Sequence, residues 1–167
     1  MKITAWILLG LVVILPAIVG AYSGWNDRTL DTKSKVDDSD PVCQKKAMGF
    51  SICEIARAQA ENMSKQLPFK VDSNTTISAV ESNHNVLSLT VLTEYSQQQI
   101  ENELGPNLSE GIRSFTNSQK EIATQSVCNG DKKNKAFIEG GGIIEYQLKY
   151  NDTQPLTTYR VDICSNR

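Results

Sequence analysis

Four cysteines (Cys43, Cys53, Cys128 and Cys164) are the residues whose chemistry the sequence constrains most tightly. A thiol becomes a nucleophile or a metal ligand when a neighbouring base, cation or metal lowers its pKa. None of the four stands in a CxxC pair, and no histidine cluster accompanies them. Zinc sites need thiolates and imidazoles converging at short spacings. An even number of cysteines outside any such motif reads instead as two structural disulfides, closed in an oxidising compartment. No metal or other cofactor is expected.

The other chemical suspects give the same answer. His84 is the single histidine and follows Ser82-Asn83 in a turn signature. With no second nitrogen ligand or acidic partner in a motif, it reads as a solvated turn residue, not a general base. No serine occupies a nucleophile elbow. Gly140-Gly141-Gly142 precedes a strand instead of a helix, so no helix N-terminus follows to receive a phosphate, and a bend is expected. Asp37-Asp38-Ser39-Asp40 lacks the distant glutamate of a calcium loop. Lys132, Lys133 and Lys135 sit beside Asp131 and Glu139 as a solvated face. With 17 basic against 19 acidic residues and no clustered basic face, nucleic acid is not expected as a partner. The chain is expected to be no enzyme.

The elements that must position these residues begin behind an export segment. Residues 3–22 are almost wholly apolar, with Lys2 in front. Two readings stand. A cleaved signal peptide would use residues 5–15 as its apolar region and the small residues Val19 and Ala21 before the cut. A retained anchor would use the whole run, about the 20 residues needed to cross a bilayer, and leave the rest of the chain facing outward. Either way the domain lies outside the cytoplasm: periplasmic, tethered to the inner membrane through residues 3–22 if they are kept. Residues 23–41 are polar and without apolar periodicity, which makes them a linker. A domain over residues 42–167 is long enough for one modest core.

Within that domain, Ser51-Ile52-Cys53-Glu54 is a capping box, and Ile52, Ile55, Ala56, Ala60, Met63 and Leu67 recur at helical spacing up to Pro68. Cys43 and Cys53 could not meet on one straight helix, where ten residues rise about 15 Å. If the helix starts at Ser51 and Gly49 bends the chain, they can close a short loop. Residues 75–81 and 86–95 flank a turn at Ser82-Asn83-His84-Asn85 and form a hairpin. Residues 97–104 look helical and break at Gly105-Pro106. Leu108, Ile112, Phe115, Ile122 and Val127 then mark a longer amphipathic helix ending near Cys128. Asp131 caps a short helix through Ile138. Ile144, Tyr146, Leu148 and Tyr150 alternate with Glu145, Gln147 and Lys149 in the clearest strand, which a turn at Asn151-Asp152 returns as residues 156–164. The order α-β-β-α-α-β-β predicts an α+β fold, an antiparallel four- to five-stranded sheet with helices packed on one face. Cys164 could then reach Cys128. Tyr146, Leu148, Tyr150 and Tyr159 either fill the core or, with helices on one face only, line a groove where a partner helix lies.

The succession of Ala58-Gln59-Ala60-Glu61-Asn62-Met63-Ser64-Lys65-Gln66-Leu67-Pro68, a hairpin, a helix ending at Cys128, Gly142-Ile143-Ile144-Glu145-Tyr146-Gln147-Leu148 and a last strand closing on Cys164 resembles the beta-type pilotins that serve the type II secretion system secretin. The similarity spans about residues 58–164. It implies a disulfide equivalent to Cys128–Cys164, a helix-backed antiparallel sheet and a groove holding a secretin helix. Two features depart from that family. Such pilotins carry a lipidated cysteine directly after the signal peptide, whereas Ala21-Tyr22-Ser23 stands there, and the Cys43/Cys53 pair is additional.

The leading expectation is a non-enzymatic periplasmic pilotin-like protein that recognises an envelope or secretion-system component. The alternative is a periplasmic inhibitor or immunity-type protein blocking an envelope enzyme. A third class is an envelope hydrolase with a site assembled from distant residues. Intact mass of the mature protein, taken with and without reduction, should show a gain of two hydrogens for each of two bridges. The same spectrum reports whether the chain was cut after Ala21.

Overall fold

The computed structural model describes residues 39–164. The export segment expected at residues 1–22, and residues 23–38 of the expected linker, lie outside the described residues. The chain runs β1 (Lys46–Ala47), β2 (Phe50–Ser51), α1 (Ile52–Ser64), β3 (Phe69–Lys70), β4 (Thr75–Asn83), β5 (Val86–Thr93), α2 (Gln97–Leu104), a 3-10 turn (Gly105–Asn107), α3 (Leu108–Asn129), α4 (Lys132–Glu139), β6 (Ile143–Lys149) and β7 (Pro155–Val161). The α+β class is as expected. The main sheet has five strands in the order β3-β4-β5-β6-β7, and β1 and β2 form a separate ribbon. β1, β2 and β3 hold two residues each, too few to leave an alternating pattern in sequence.

The expectation of a wholly antiparallel sheet is corrected. β3–β4, β4–β5 and β6–β7 are antiparallel, but the two hairpins join through β5 and β6, which run parallel with Val86 opposite Ile143 and Leu92 opposite Lys149. The reason is the length of the crossover. α3 has 22 residues, about 33 Å at 1.5 Å each, enough to carry the chain back along the whole sheet. β6 therefore starts where β5 starts, with the Ile143 amide donating to the Asn85 carbonyl at 2.9 Å. A helical return of this kind is what parallel neighbours require.

Local signals set the helix ends. The Ser51 amide donates to the Glu54 carboxylate at 3.0 Å, so Glu54 reaches back as a capping box demands. α1 stops at Ser64, short of the Leu67 limit, because residues before a proline avoid the helical region. α2 begins with Ser96 and Gln99 in a second capping box, and α4 begins with Asp131 accepting from the Lys133 amide at 2.9 Å.

Period-two alternation, shifted by one residue at a bulge between Ile77 and Ala79, puts Ile77, Val80, Leu87, Leu89, Val91, Ile144, Tyr146, Leu148, Tyr159 and Val161 on one face of the sheet, all buried. The helices cover that face. Ile52, Ile55, Ala56 and Ala60 of α1, Phe115, Ala123 and Val127 of α3, and Phe137 of α4 complete the core. The opposite face carries Thr76, Ser78, Ser88, Thr90, Gln147, Thr158 and Arg160, none of them fully buried.

Both expected bridges are present: Cys43–Cys53 with Cα atoms 5.1 Å apart, and Cys128–Cys164 with 5.5 Å. They occupy the same end of the sheet. Cys53 lies in the first turn of α1, whose Ile52 packs towards Gly140 just before β6. Cys164 follows β7, whose Val161 pairs with Ile144 near the start of β6. This end, marked by Asn83, Val86, Ile143 and Val161, is called the braced end below. The far end is marked by Thr75, Thr93, Lys149 and Pro155.

The glycine run is a packing device. A Cβ on Gly140 would stand 2.5 Å from the Ile52 Cδ1, and one on Gly142 would meet three Phe137 ring carbons at 2.5 Å. Phe137 is fully buried and its flat ring has no other rotamer to retreat to without displacing the core. Gly142→Ala should therefore lower stability by about 1–3 kcal/mol, read as a reduced urea midpoint with an unchanged slope.

Candidate functional site

His84 sits at the β4–β5 turn with φ +50°, its Nε2 3.8 Å from Asp40 Oδ2. Asp40 also accepts from the Val42 amide at 2.9 Å through its other oxygen. The contact places the incoming chain beside the turn. Of the acidic run, Asp37 and Asp38 lie outside the described residues, and among the described residues no group of three potential ligands could hold a metal. All four cysteines are oxidised. Of the three lysines beside Asp131, Lys135 pairs with Glu139 at 3.7 Å.

The distinctive internal arrangement is the seam between α1 and α3. α1 packs on β4 and β5, whereas α3 packs on β7. β6 lies between them in the sheet, so its inward side chains sit under the strip between two helices that make little backbone contact with each other. Tyr146 of β6 and Tyr159 of β7 are direct cross-strand neighbours, and their rings stack with centroids 5.0 Å apart. Burial pushes both hydroxyls well above the ordinary tyrosine range, with Tyr146 adding to the effect on Tyr159. Neither ionises near neutrality. The Tyr159 hydroxyl and the side-chain oxygen of Gln59 on α1 are both shut off from solvent without a hydrogen-bond partner, a costly condition for buried polar atoms.

The four residues considered for a partner groove are placed in the core: Tyr146, Leu148, Tyr150 and Tyr159 are 2%, 2%, 5% and 4% exposed. Tyr150 lies at the far end, where burial above all, and then the charges of Glu101 and Asp152, raise its pKa. The accessible apolar residues near the seam are different ones. Met63, Leu67 and Phe69 at the exit from α1, Tyr95 after β5 and Leu156 at the start of β7 are half-buried against the core. Register puts this set at the far end: Phe69 pairs with Ile77, and Lys149 with Pro155. Sequence reasoning missed it because Met63 and Leu67 continue the helical stripe and Leu156 continues the strand pattern. Nothing in that periodicity marks where the stripe emerges from cover.

A second arrangement lies on the polar face. Glu145 Oε2 accepts from Arg160 Nε at 2.6 Å and from its terminal nitrogen at 2.6 Å. Oε1 accepts from Gln147 at 2.7 Å and Ser88 at 3.3 Å. Gln147 above all, with the Arg160 guanidinium and the Ser88 hydroxyl, holds the Glu145 carboxyl below its usual range against the opposing effect of burial. A carboxylate with both oxygens engaged in this way is neither a base nor a ligand. It ties β5, β6 and β7 together.

Comparison with known proteins begins from this geometry. No family model and no curated protein matches the chain in sequence. The fold is similar to that of a Pseudomonas aeruginosa protein proposed to be secreted, at 19% identity and TM-score 0.52, over 66% of this chain and 88% of that one. It is similar to EpsS, the pilotin of the Vibrio vulnificus type 2 secretion system, at 13% identity and TM-score 0.50, over 70% of this chain and 94% of that one. AspS, the type II secretion system pilotin of Vibrio cholerae, matches at 14% identity and TM-score 0.45, over 66% and 87% of the respective chains. The expected resemblance to pilotins therefore holds at the level of the fold, on the agreement with EpsS.

The Glu145 network makes a pH-dependent prediction. Its folded pKa is lowered from an unfolded value of about 4.3. The stability it supplies is thus complete above that value and is lost as pH falls through the folded pKa. Arg160→Met should cost about 1–2 kcal/mol at neutral pH, the range of a charged hydrogen bond at a partly open surface. The gap between variant and parent should narrow as denaturation is followed to lower pH.

Proposed function

We propose that this chain is a non-enzymatic, pilotin-like binding protein of the bacterial envelope, recognising a helix of a secretion-system component such as the secretin. The observation that supports the reading is the similarity of fold to EpsS, which spans 70% of this chain. Two closed disulfides support an oxidising, extracytoplasmic location. Residues 1–22 act as the export segment, retained as an inner-membrane anchor, with a linker to about residue 41 and the folded domain over residues 42–167.

The far end of the seam is the proposed entry for the partner helix. Both bridges pin the braced end, where α1 begins and α3 finishes. Among the described residues no covalent link joins the two helices at the far end. An amphipathic helix needs an apolar groove offering contacts at one-turn intervals, and Met63, Leu67, Tyr95 and Leu156 supply an apolar rim there. As the incoming helix parts α1 from α3, it meets Tyr146, Leu148, Tyr150 and Tyr159 below. A polar group on that helix would satisfy Gln59 and the Tyr159 hydroxyl, the buried atoms that now lack partners.

The second reading, an inhibitor or immunity-type protein, uses the same export and the same bridges but requires a rigid surface, so it predicts that the seam stays closed on binding. Cross-linked membranes should yield a secretin or another secretion component bound to this chain. Met63→Asp, a change at a half-buried position, should leave the fold intact by circular dichroism and weaken that complex at least about tenfold, or 1.4 kcal/mol. Capture of a soluble envelope enzyme that Met63→Asp leaves unaffected would select the inhibitor reading, and a clean monomer that binds neither would overturn both.

A further inference from the structure

The large hydrophobic side chains that remain exposed are not scattered. Among the described residues, Met48 is 44% exposed, Phe50 40% and Ile163 65%. All three belong to the braced end. Met48 and Phe50 form the tip of the β1–β2 ribbon, whose Ala47 packs beside Gly140 at the start of β6. Ile163 follows Val161, the residue opposite Ile144. Isolated exposed apolar residues need no explanation, but several gathered at one end of a small domain mark a contact surface.

The ribbon is built to hold its tip outward. Cys43–Cys53 closes the loop around it. The Ser51 hydroxyl donates to the Cys43 carbonyl at 2.6 Å, and the Ile52 amide to the Lys45 carbonyl at 3.0 Å. Its turn places Met48 at φ +52° and Gly49 at φ +89°. Methionine is disfavoured in the left-handed region, so the turn is maintained by the bridge and the bonds around it. Lys45 and Lys46, both exposed, stand immediately before the tip.

The chain also enters the domain at this end, since Asp40 lies beside His84 in the β4–β5 turn. Ahead of the described residues lie 16 residues, 23–38, and then the apolar run at residues 3–22. That linker bounds the separation of domain and run to about 55 Å fully extended, and it joins the domain at the braced end.

We propose that the braced end is a bilayer-contact surface: Met48, Phe50 and Ile163 enter the headgroup region, and Lys45 and Lys46 meet lipid phosphates. Interfacial binding of this kind combines buried apolar area with attraction to anionic lipid. Asp162, exposed beside Ile163, opposes that attraction on one flank, so the apolar contact leads and the lysines add to it. The surface is separate from the seam, which opens at the opposite end, and the two together let the protein lie on a membrane and still receive a partner. The proposal rests on the reading that residues 3–22 remain in the membrane.

The test uses the full chain reconstituted into phosphatidylcholine vesicles, with and without phosphatidylglycerol, and carrying fluorinated phenylalanine at its four phenylalanines, Phe50, Phe69, Phe115 and Phe137. The Phe50 resonance is assigned with Phe50→Leu. Spin-labelled lipid should remove most of the Phe50 intensity and spare Phe137, which lies in the core. The loss should be smaller without phosphatidylglycerol and smaller again in a Lys45→Gln/Lys46→Gln variant. Phe50 intensity that survives as well as that of Phe137 overturns the proposal, and so does protection of Phe50 by a second copy of the chain, seen as a dimer in detergent. Intact mass of chain extracted from its own membranes separates the two ideas. Loss of residues 1–22 refutes the anchor while the Phe50 result still decides the surface.

Discussion

Once β4–β7 are laid side by side, alternation puts isoleucine, valine, leucine and tyrosine on one face of the sheet and serine, threonine, glutamine and arginine on the other. Leaving the first face in water would forfeit about 1.5–3 kcal/mol for each large side chain, against a net stability that for domains of this size is only several kcal/mol. Helices must therefore cover it, and a chain of this length has two of adequate size to do so. α1 takes the β4–β5 side and α3 the β7 side. The seam over β6, the small residues Ala56, Ala60 and Ala123 that let the helices approach the strands, and the glycines that admit Ile52 and Phe137 all follow from that single requirement.

The disulfides act on this arrangement unevenly. One closes a short loop of 10 residues at the start of α1, the other a loop of 36 residues from the end of α3 to the end of β7. Cross-links stabilise by restricting the unfolded chain, and the longer loop contributes more. Their placement matters as much as their number. Both hold the same end, so the molecule is cross-linked where the chain enters and relies on packing and hydrogen bonds, such as that between Thr116 and Thr157, where α1 ends and β7 begins. The accessible apolar residues follow the same polarity: the more exposed ones are displayed on the ribbon and after β7 at the braced end, and half-buried ones rim the seam at the other.

Much of this could be read from residue order. Ser51 with Glu54, Gly105-Pro106 and Asp131 gave helix limits within a few residues, because capping and helix breaking are local chemistry. The two cysteine pairs were legible for a related reason: Cys43–Cys53 needed only the start of α1 and a bend before it, and Cys128–Cys164 one helix end and one strand end. The pairing of β5 with β6 was not legible. Local pattern shows that two hairpins exist but says nothing of their relative direction, which is set by how far α3 carries the chain. The Glu145–Arg160–Gln147–Ser88 network was hidden for the same cause, since it spans three strands whose register is fixed only when they pair.

Sequence alone determined the longer helices and strands, the apolar face and the pairing of the cysteines, all of which depend on residue type and spacing along the chain. Tertiary structure decided which residues of a continuous apolar stripe are covered. Met63 and Tyr146 look alike in periodicity, but one emerges at the end of a helix and the other lies beneath two. Exposure is a property of what stands opposite a side chain, and that neighbour comes from a distant part of the sequence.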